Sequence, residues 1–113
     1  MQINIKATKI ELNDAIRGYI QEKMDMLEKY LGSVAVINCD VEVAMDVNSQ
    51  QKGEIFRAEV NLNLPGKLIR VEKTEKDLYK AIDKVKDHLI RSIKRYKEKR
   101  ADKKRKSGDK NIV

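Results

Sequence analysis

Ile37-Asn38-Cys39-Asp40-Val41-Glu42-Val43-Ala44-Met45-Asp46-Val47 is the stretch that decides the fold. Its apolar residues, Ile37, Cys39, Val41, Val43, Met45 and Val47, take every second position, and Asn38, Asp40, Glu42 and Asp46 lie between them. Successive side chains of a strand point to opposite faces, so this spacing predicts a strand with one dry and one wet face. Only Ala44 softens the polar side. After a polar reversal over Asn48 to Gly53, Phe56, Ala58, Val60, Leu62 and Leu64 alternate with Arg57, Glu59, Asn61 and Asn63. Pro65-Gly66 supplies the next turn, proline fixing φ and glycine admitting φ > 0, and Leu68 to Lys73 reads as a further short strand. Strands joined by such short loops form an antiparallel meander.

The flanks complete the pattern. Gln2 to Ala7 alternates around Ile3, Ile5 and Ala7, as a half-buried strand does. Asn13 suits a helix N-cap, and Ile16, Ile20, Met24, Leu27 and Leu31 then recur at helical spacing until Gly32, predicting one helix from about Asp14 to Leu31. Thr74 is expected to cap a second helix, helped by Glu75 and Asp77 in its first turn. That helix carries the stripe Leu78, Ile82, Val85, Leu89, Ile93 and Tyr96. The order is β-α-β-β-β-α. An α+β two-layer sandwich follows, with both helices on the one apolar face of a four-stranded sheet. Packing is expected to stop at Tyr96, with helicity persisting a few turns. Residues 1–100 read as the folded domain and 101–113 as a basic disordered tail or the start of a linker.

Composition narrows the function. Of 113 residues, 38% are charged, against roughly 25% in an ordinary domain. Lys and Arg number 25 and Asp and Glu 18, for a net charge of +7. The excess is concentrated: residues 91–113 hold 11 basic and 3 acidic side chains, and the remainder is close to neutral. A near-neutral body with a cationic end points to a polyanion, either nucleic acid or an anionic membrane surface. The membrane is disfavoured because the apolar stripe of the basic helix is needed to cover the sheet. No run of eighteen apolar residues and no signal-peptide core is present, so a cytoplasmic domain is expected. Cys39 sits at an inward strand position and reads as a small hydrophobe; His88 reads as a partly exposed helix residue. No nucleophile stands near a base, and no phosphate loop or ligand-spaced acidic cluster is found, so the chain reads as no enzyme, with no cofactor, metal or small-molecule substrate. A helix gripping phosphates of folded RNA fits best, and a module for an acidic protein partner is the distinct alternative.

The second helix carries a resemblance. Asp77-Leu78-Tyr79-Lys80-Ala81-Ile82-Asp83, followed by Arg91-Ser92-Ile93-Lys94-Arg95-Tyr96-Lys97, resembles the signature of the ribosome hibernation-promoting factor family, whose members include ribosome-associated inhibitor A and the ribosomal subunit interface proteins. Met1-Gln2-Ile3-Asn4-Ile5, Ala15-Ile16-Arg17, Leu27-Glu28-Lys29-Tyr30 and Leu64-Pro65-Gly66 with Leu68-Ile69-Arg70 support it, in order and at matching spacings over about residues 1–100. The resemblance implies a sandwich similar to double-stranded RNA-binding domains. It also implies a stress or stationary-phase protein that binds the small ribosomal subunit and its ribosomal RNA at the decoding region and stops translation by occluding messenger and transfer RNA. Carried over, the RNA-binding positions are Arg17, Lys23 and Lys29 on the first helix and Arg91, Lys94, Arg95 and Lys97 on the second, with Lys84 a basic, outward addition. General structured-RNA binding or ribosome assembly is the runner-up. Met26 and His88 depart from frequent lysines, and His88 is expected to gain charge near pH 6.5. Long members of the family continue into a dimerising domain; this chain, with its apolar residues spent internally, is expected to be monomeric when free.

Overall fold

The structure, a computed structural model, describes residues 1–47 and 53–110. Its elements are β1 (Asn4–Thr8), α1 (Asp14–Asp25), α2 (Glu28–Leu31), β2 (Asn38–Val47), β3 (Glu54–Leu64), β4 (Lys67–Glu75) and α3 (Leu78–Lys110). The strands form one sheet in the order β1-β2-β3-β4, with β1 parallel to β2 and the remaining pairs antiparallel. A parallel first pair requires a crossover, and α1 and α2 supply it. The expected α+β sandwich is therefore present, with the helices packed over the apolar face.

Register explains that face. Ile5, Val41, Val60 and Val71 stand opposite one another across all four strands, and Cys39, Leu62 and Ile69 form the neighbouring row. These residues join Ile16, Ile20, Met24, Leu27 and Leu31 from the first helical layer in one core. From α3 come Leu78, Ile82, Val85, Leu89, Ile93 and Tyr96, every member of the expected stripe. Buried Leu or Ile side chains of this kind each contribute about 1.5–3 kcal/mol relative to exposure.

Three local expectations change. The first helix is not continuous: the Leu27 N–H bonds the Met24 carbonyl at 3.0 Å, a tight three-residue step that separates α1 from α2 and keeps Leu27 fully buried. Thr74 is no cap, because β3 pairing holds it extended opposite Arg57. The cap is Asp77, whose Oδ1 accepts from the Tyr79 N–H at 2.8 Å. Ile37 precedes β2 and is 60% exposed, although its own N–H reaches the Asn63 carbonyl at 2.9 Å. Beyond Tyr96 the helix continues, and α3 is helical through Lys110. A helix of 33 residues is about 50 Å long, longer than the strands beneath it, and Tyr96 is its last buried side chain among those described. The reversal expected over Asn48 to Gly53 lies, except for Gly53, outside the described residues.

Candidate nucleic-acid interface

Tyr30, on α2, organises the first cationic cluster. Lys29 Nζ lies 5.0 Å from its ring centroid and Lys94 Nζ, from α3, 5.2 Å. Lys97 Nζ donates to the Tyr30 carbonyl at 3.0 Å. That carbonyl belongs to the last turn of α2, where backbone dipoles favour a cation. Three ammonium groups from two elements thus surround one residue. Among the described residues, no ion pair includes Lys29, Lys94 or Lys97. The ring face attracts the cations but cannot neutralise them, so an incoming phosphate relieves their mutual repulsion.

The other expected contacts divide. Arg91 is exposed on α3 and Arg17 on α1, each without an ion-pair partner among the described residues. Arg17 stands one turn before Gln21, whose side chain bonds the Met1 carbonyl, on the side of α1 turned from α3. It is thus not brought to the Tyr30 cluster. Lys23 is engaged internally, 3.7 Å from Asp83 Oδ1 and 5.0 Å from the Tyr19 ring centroid, with 17% of its side chain exposed. Tyr19 donates its hydroxyl to the same Asp83 carboxylate at 2.5 Å, which pushes its pKa up to about 12. Lys84 pairs with Glu75, whose carboxyl is held below its usual range mainly by that hydrogen bond. Charge alone could not separate these two lysines from the free ones.

A second cationic cluster lies on the other flank of α3. Arg95, Lys99, Arg100 and Lys103 line a groove with Lys67 and Arg70 of β4. Arg95 therefore belongs here rather than with Lys94. Tyr96 ties the groove floor: its hydroxyl donates to the Pro65 carbonyl at 2.6 Å and accepts from Arg100 Nη1 at 2.9 Å. Lys67, Arg70, Lys99, Arg100 and Lys103 were not among the positions singled out from the sequence. The four-residue spacing of Arg95, Lys99 and Lys103 is the sequence signal for this row.

The wet sheet face is built differently. Glu42, Glu59 and Glu72 stand directly opposite one another on β2, β3 and β4. Like charges so placed repel. Arg57 threads between them, 2.9 Å from Glu42, 3.3 Å from Glu59 and 3.6 Å from Glu72, while Arg70 reaches Glu59 at 3.2 Å. Hydrogen bonding from Arg57 is the main reason the Glu42 carboxyl sits below its usual range. Cys39 is buried on the opposite face, and burial pushes its thiol up to about 11, the reverse of an activated nucleophile. The expectation that His88 gains charge near pH 6.5 is not met: desolvation first, then Lys73, Arg91 and Arg95, holds its pKa below the ordinary histidine value.

Comparison with known proteins bears on the fold and the family. The family described as Sigma 54 modulation protein / S30EA ribosomal protein matches residues 3–101. A protein of Deinococcus radiodurans named ribosome hibernation promotion factor is 34% identical over 99 residues, covering 86% of this chain and 50% of the relative. Its namesake in Lactococcus lactis is 37% identical over the same shares, and that of Staphylococcus aureus 32% identical over 99% of this chain and 56% of the relative. The chain thus spans about half the length of these relatives. Among solved structures, the N-terminal domain of Thermus thermophilus Protein Y superposes with a TM-score of 0.67 at 33% identity, covering 85% of this chain and 99% of that one. A ribosomal subunit interface protein from Coxiella burnetii shares the fold, with a TM-score of 0.63 at 18% identity over 85% of this chain and 99% of that one.

Proposed function

The chain belongs to the Sigma 54 modulation protein / S30EA ribosomal protein family, and from that premise we propose that it is a ribosome hibernation domain. It binds the small ribosomal subunit at the decoding region, against ribosomal RNA, and inhibits translation by occupying space needed by messenger and transfer RNA. The observation that supports this reading is the set of unpaired lysines held around Tyr30 by α2 and α3. A rigid cationic ridge of this kind recognises a folded RNA through its phosphates and shape, without reading base edges. Lys29, Arg91, Lys94 and Lys97 carry the principal contacts, with Arg17 and Arg95 on the flanks. Lys23 and Lys84 mainly hold the helices and strands in place.

No chemical step is required, since occlusion needs only affinity and volume. The free protein is monomeric in this reading, because the +7 charge opposes self-association and the apolar stripes are spent in the core. The test is co-sedimentation with purified small subunits across a salt series, wild type against Arg91→Glu with Lys94→Glu. Wild type binds and is displaced by initiator transfer RNA with messenger, and the double variant does not bind. Binding unaffected by transfer RNA and messenger would move the site elsewhere on the ribosome and favour the assembly-factor reading.

A further inference from the structure

We propose that the open edge of β4, with the groove that α3 makes beside it, docks an extended acidic segment of a protein partner, which adds to the sheet as a fifth strand. Among the described residues, the strand order leaves β4 unpaired on one side. An edge strand presents backbone donors and acceptors to any chain that can lie beside it. Here that edge is accompanied by a groove of about 1010 Å3, at the upper limit of the roughly 300–1,000 Å3 usual for ligand clefts.

The lining decides the chemistry of the occupant. Six cations, Lys67, Arg70, Arg95, Lys99, Arg100 and Lys103, border the groove; Arg70 is already paired with Glu59 at 3.2 Å, which leaves five, and among the described residues no carboxylate lines it. Leu68 is also there and is 58% exposed, an apolar side chain placed at a cationic edge. Along β4, Leu68 and Arg70 alternate with Lys67 and Ile69, so an added strand meets both sets. Its outward side chains run beside Leu68 and Arg70, and its inward ones pass under Arg95 and Lys99 toward buried Ile69 and Tyr96. Acidic residues alternating with β-branched ones satisfy that pattern.

Two other occupants fit less well. A second copy of this chain brings the same positive edge and a net charge of +7. RNA would find phosphate partners but no ring on which to stack a base. Among the described residues lining the groove, Tyr96 is the only aromatic one; it is buried, and its hydroxyl is already bonded to Pro65 and Arg100. The inference does not rest on the ribosomal reading, whose principal contacts lie on the opposite flank of α3 and are tested with Arg91 and Lys94; Arg95, at the margin of that reading and of this groove, is left unchanged in the test.

The probe is a fluorescein-labelled peptide of alternating Glu and Val, measured by anisotropy and by amide NMR on the whole chain. A second peptide replaces the valines by prolines, which keeps the charge and removes the backbone donors a ladder requires. The Glu-Val peptide is expected to bind at least tenfold more tightly than the proline peptide and to slow amide exchange at Leu68 to Arg70. Lys99→Glu with Lys103→Glu lies beyond the packed part of α3, so the fold stays intact, and binding falls at least tenfold. Leu68→Ser weakens the Glu-Val peptide while leaving small-subunit binding unchanged. Equal binding of the valine and proline peptides would reduce the edge to a charge patch and overturn the proposal. So would displacement of the peptide by an oligouridylate with no protection of the β4 amides, which would make the groove an RNA contact.

Discussion

The outer face of the sheet and the outer face of the helices are both rich in charge, and they do opposite things with it. On the sheet, Arg57 is shared among Glu42, Glu59 and Glu72, and Lys6 also lies 3.8 Å from Glu42. The side chains are drawn together so closely that Glu59 retains only 13% exposure on a face open to water. On the helices, Lys29, Lys94 and Lys97 gather around a ring and a carbonyl, neither of which removes their charge. Availability is therefore set by pairing, not by exposure or by the number of lysines. A charge already satisfied inside the molecule stabilises it; one left unsatisfied recruits something from outside.

Breaking the helical side should have the largest effect. Arg91→Glu with Lys94→Glu replaces two attractions for phosphate by two repulsions. Small-subunit affinity at physiological salt is expected to fall by more than about 100-fold, each lost phosphate contact also removing about 0.7–0.9 from the salt slope. Neither side chain is buried, so the melting temperature should move little. Retained binding in a sedimentation assay would show that the contact surface is elsewhere.

Breaking the sheet side should do the converse. Arg57→Met leaves three glutamates in register with their shared cation gone. The expected cost is about 2–3 kcal/mol by urea denaturation, between the values for exposed and buried pairs. The folded variant should bind ribosomal subunits as wild type does. Loss of binding without loss of stability would mean that this face also contacts RNA.

Most of this comparison was legible in the sequence, though unevenly. Strict alternation through Val41, Val43, Val60 and Leu62 specified the sheet because its side-chain period is two and a slip of one residue would expose the core. The α3 stripe was equally clear. Thr74 misled because local capping preference competes with ladder pairing, and ladder pairing opposite Arg57 prevailed. The site was half readable: residue type showed where cations lie, but only tertiary contacts reveal that Lys23 meets Asp83 and Lys84 meets Glu75. His88 looked free to titrate because what lowers its pKa is tertiary: burial first, then the cations Lys73, Arg91 and Arg95, which come from β4 and from other turns of the helix.

Acid sharpens the contrast less strongly. Glu42 has a folded-state pKa below its unfolded value, chiefly through Arg57. Its contribution is fully present above the unfolded pKa, near 4.3–4.5, and is lost as pH falls through the folded value. His88 works at higher pH with its pKa also lowered: protonation near 6.5 favours the unfolded chain, so stability declines as pH falls below that point. Thermal melts should therefore show a shallow loss below about pH 6.5 and a steeper one near and below pH 4. His88→Gln should flatten the first and Arg57→Met the second; a first step unchanged in His88→Gln would assign it to other groups.

The smallest effect is expected where sequence alone most strongly suggested a contact, at Lys23. Its ammonium lies between the Asp83 carboxylate and the Tyr19 ring, and Tyr79 stacks edge-on against that ring at 4.8 Å between centroids. To reach a phosphate, Lys23 would have to abandon a carboxylate, leaving Asp83 with the Tyr19 hydroxyl as its remaining partner. The gain from the phosphate is then nearly offset by the loss. Lys23→Gln should accordingly weaken small-subunit binding less than about twofold and leave the salt slope unchanged, since no counterion is displaced by a cation already neutralised. Lys94→Gln should lower the same slope by nearly one. In stability the order reverses: Lys23→Gln loses a largely shielded pair worth up to about 1 kcal/mol, a few degrees in melting temperature, and Lys94→Gln loses almost nothing. A salt series and a thermal melt on these two variants separate a structural lysine from a recruiting one. If Lys23→Gln reduces the slope as much as Lys94→Gln does, pairing is not what decides availability, and the distinction between the two faces fails with it.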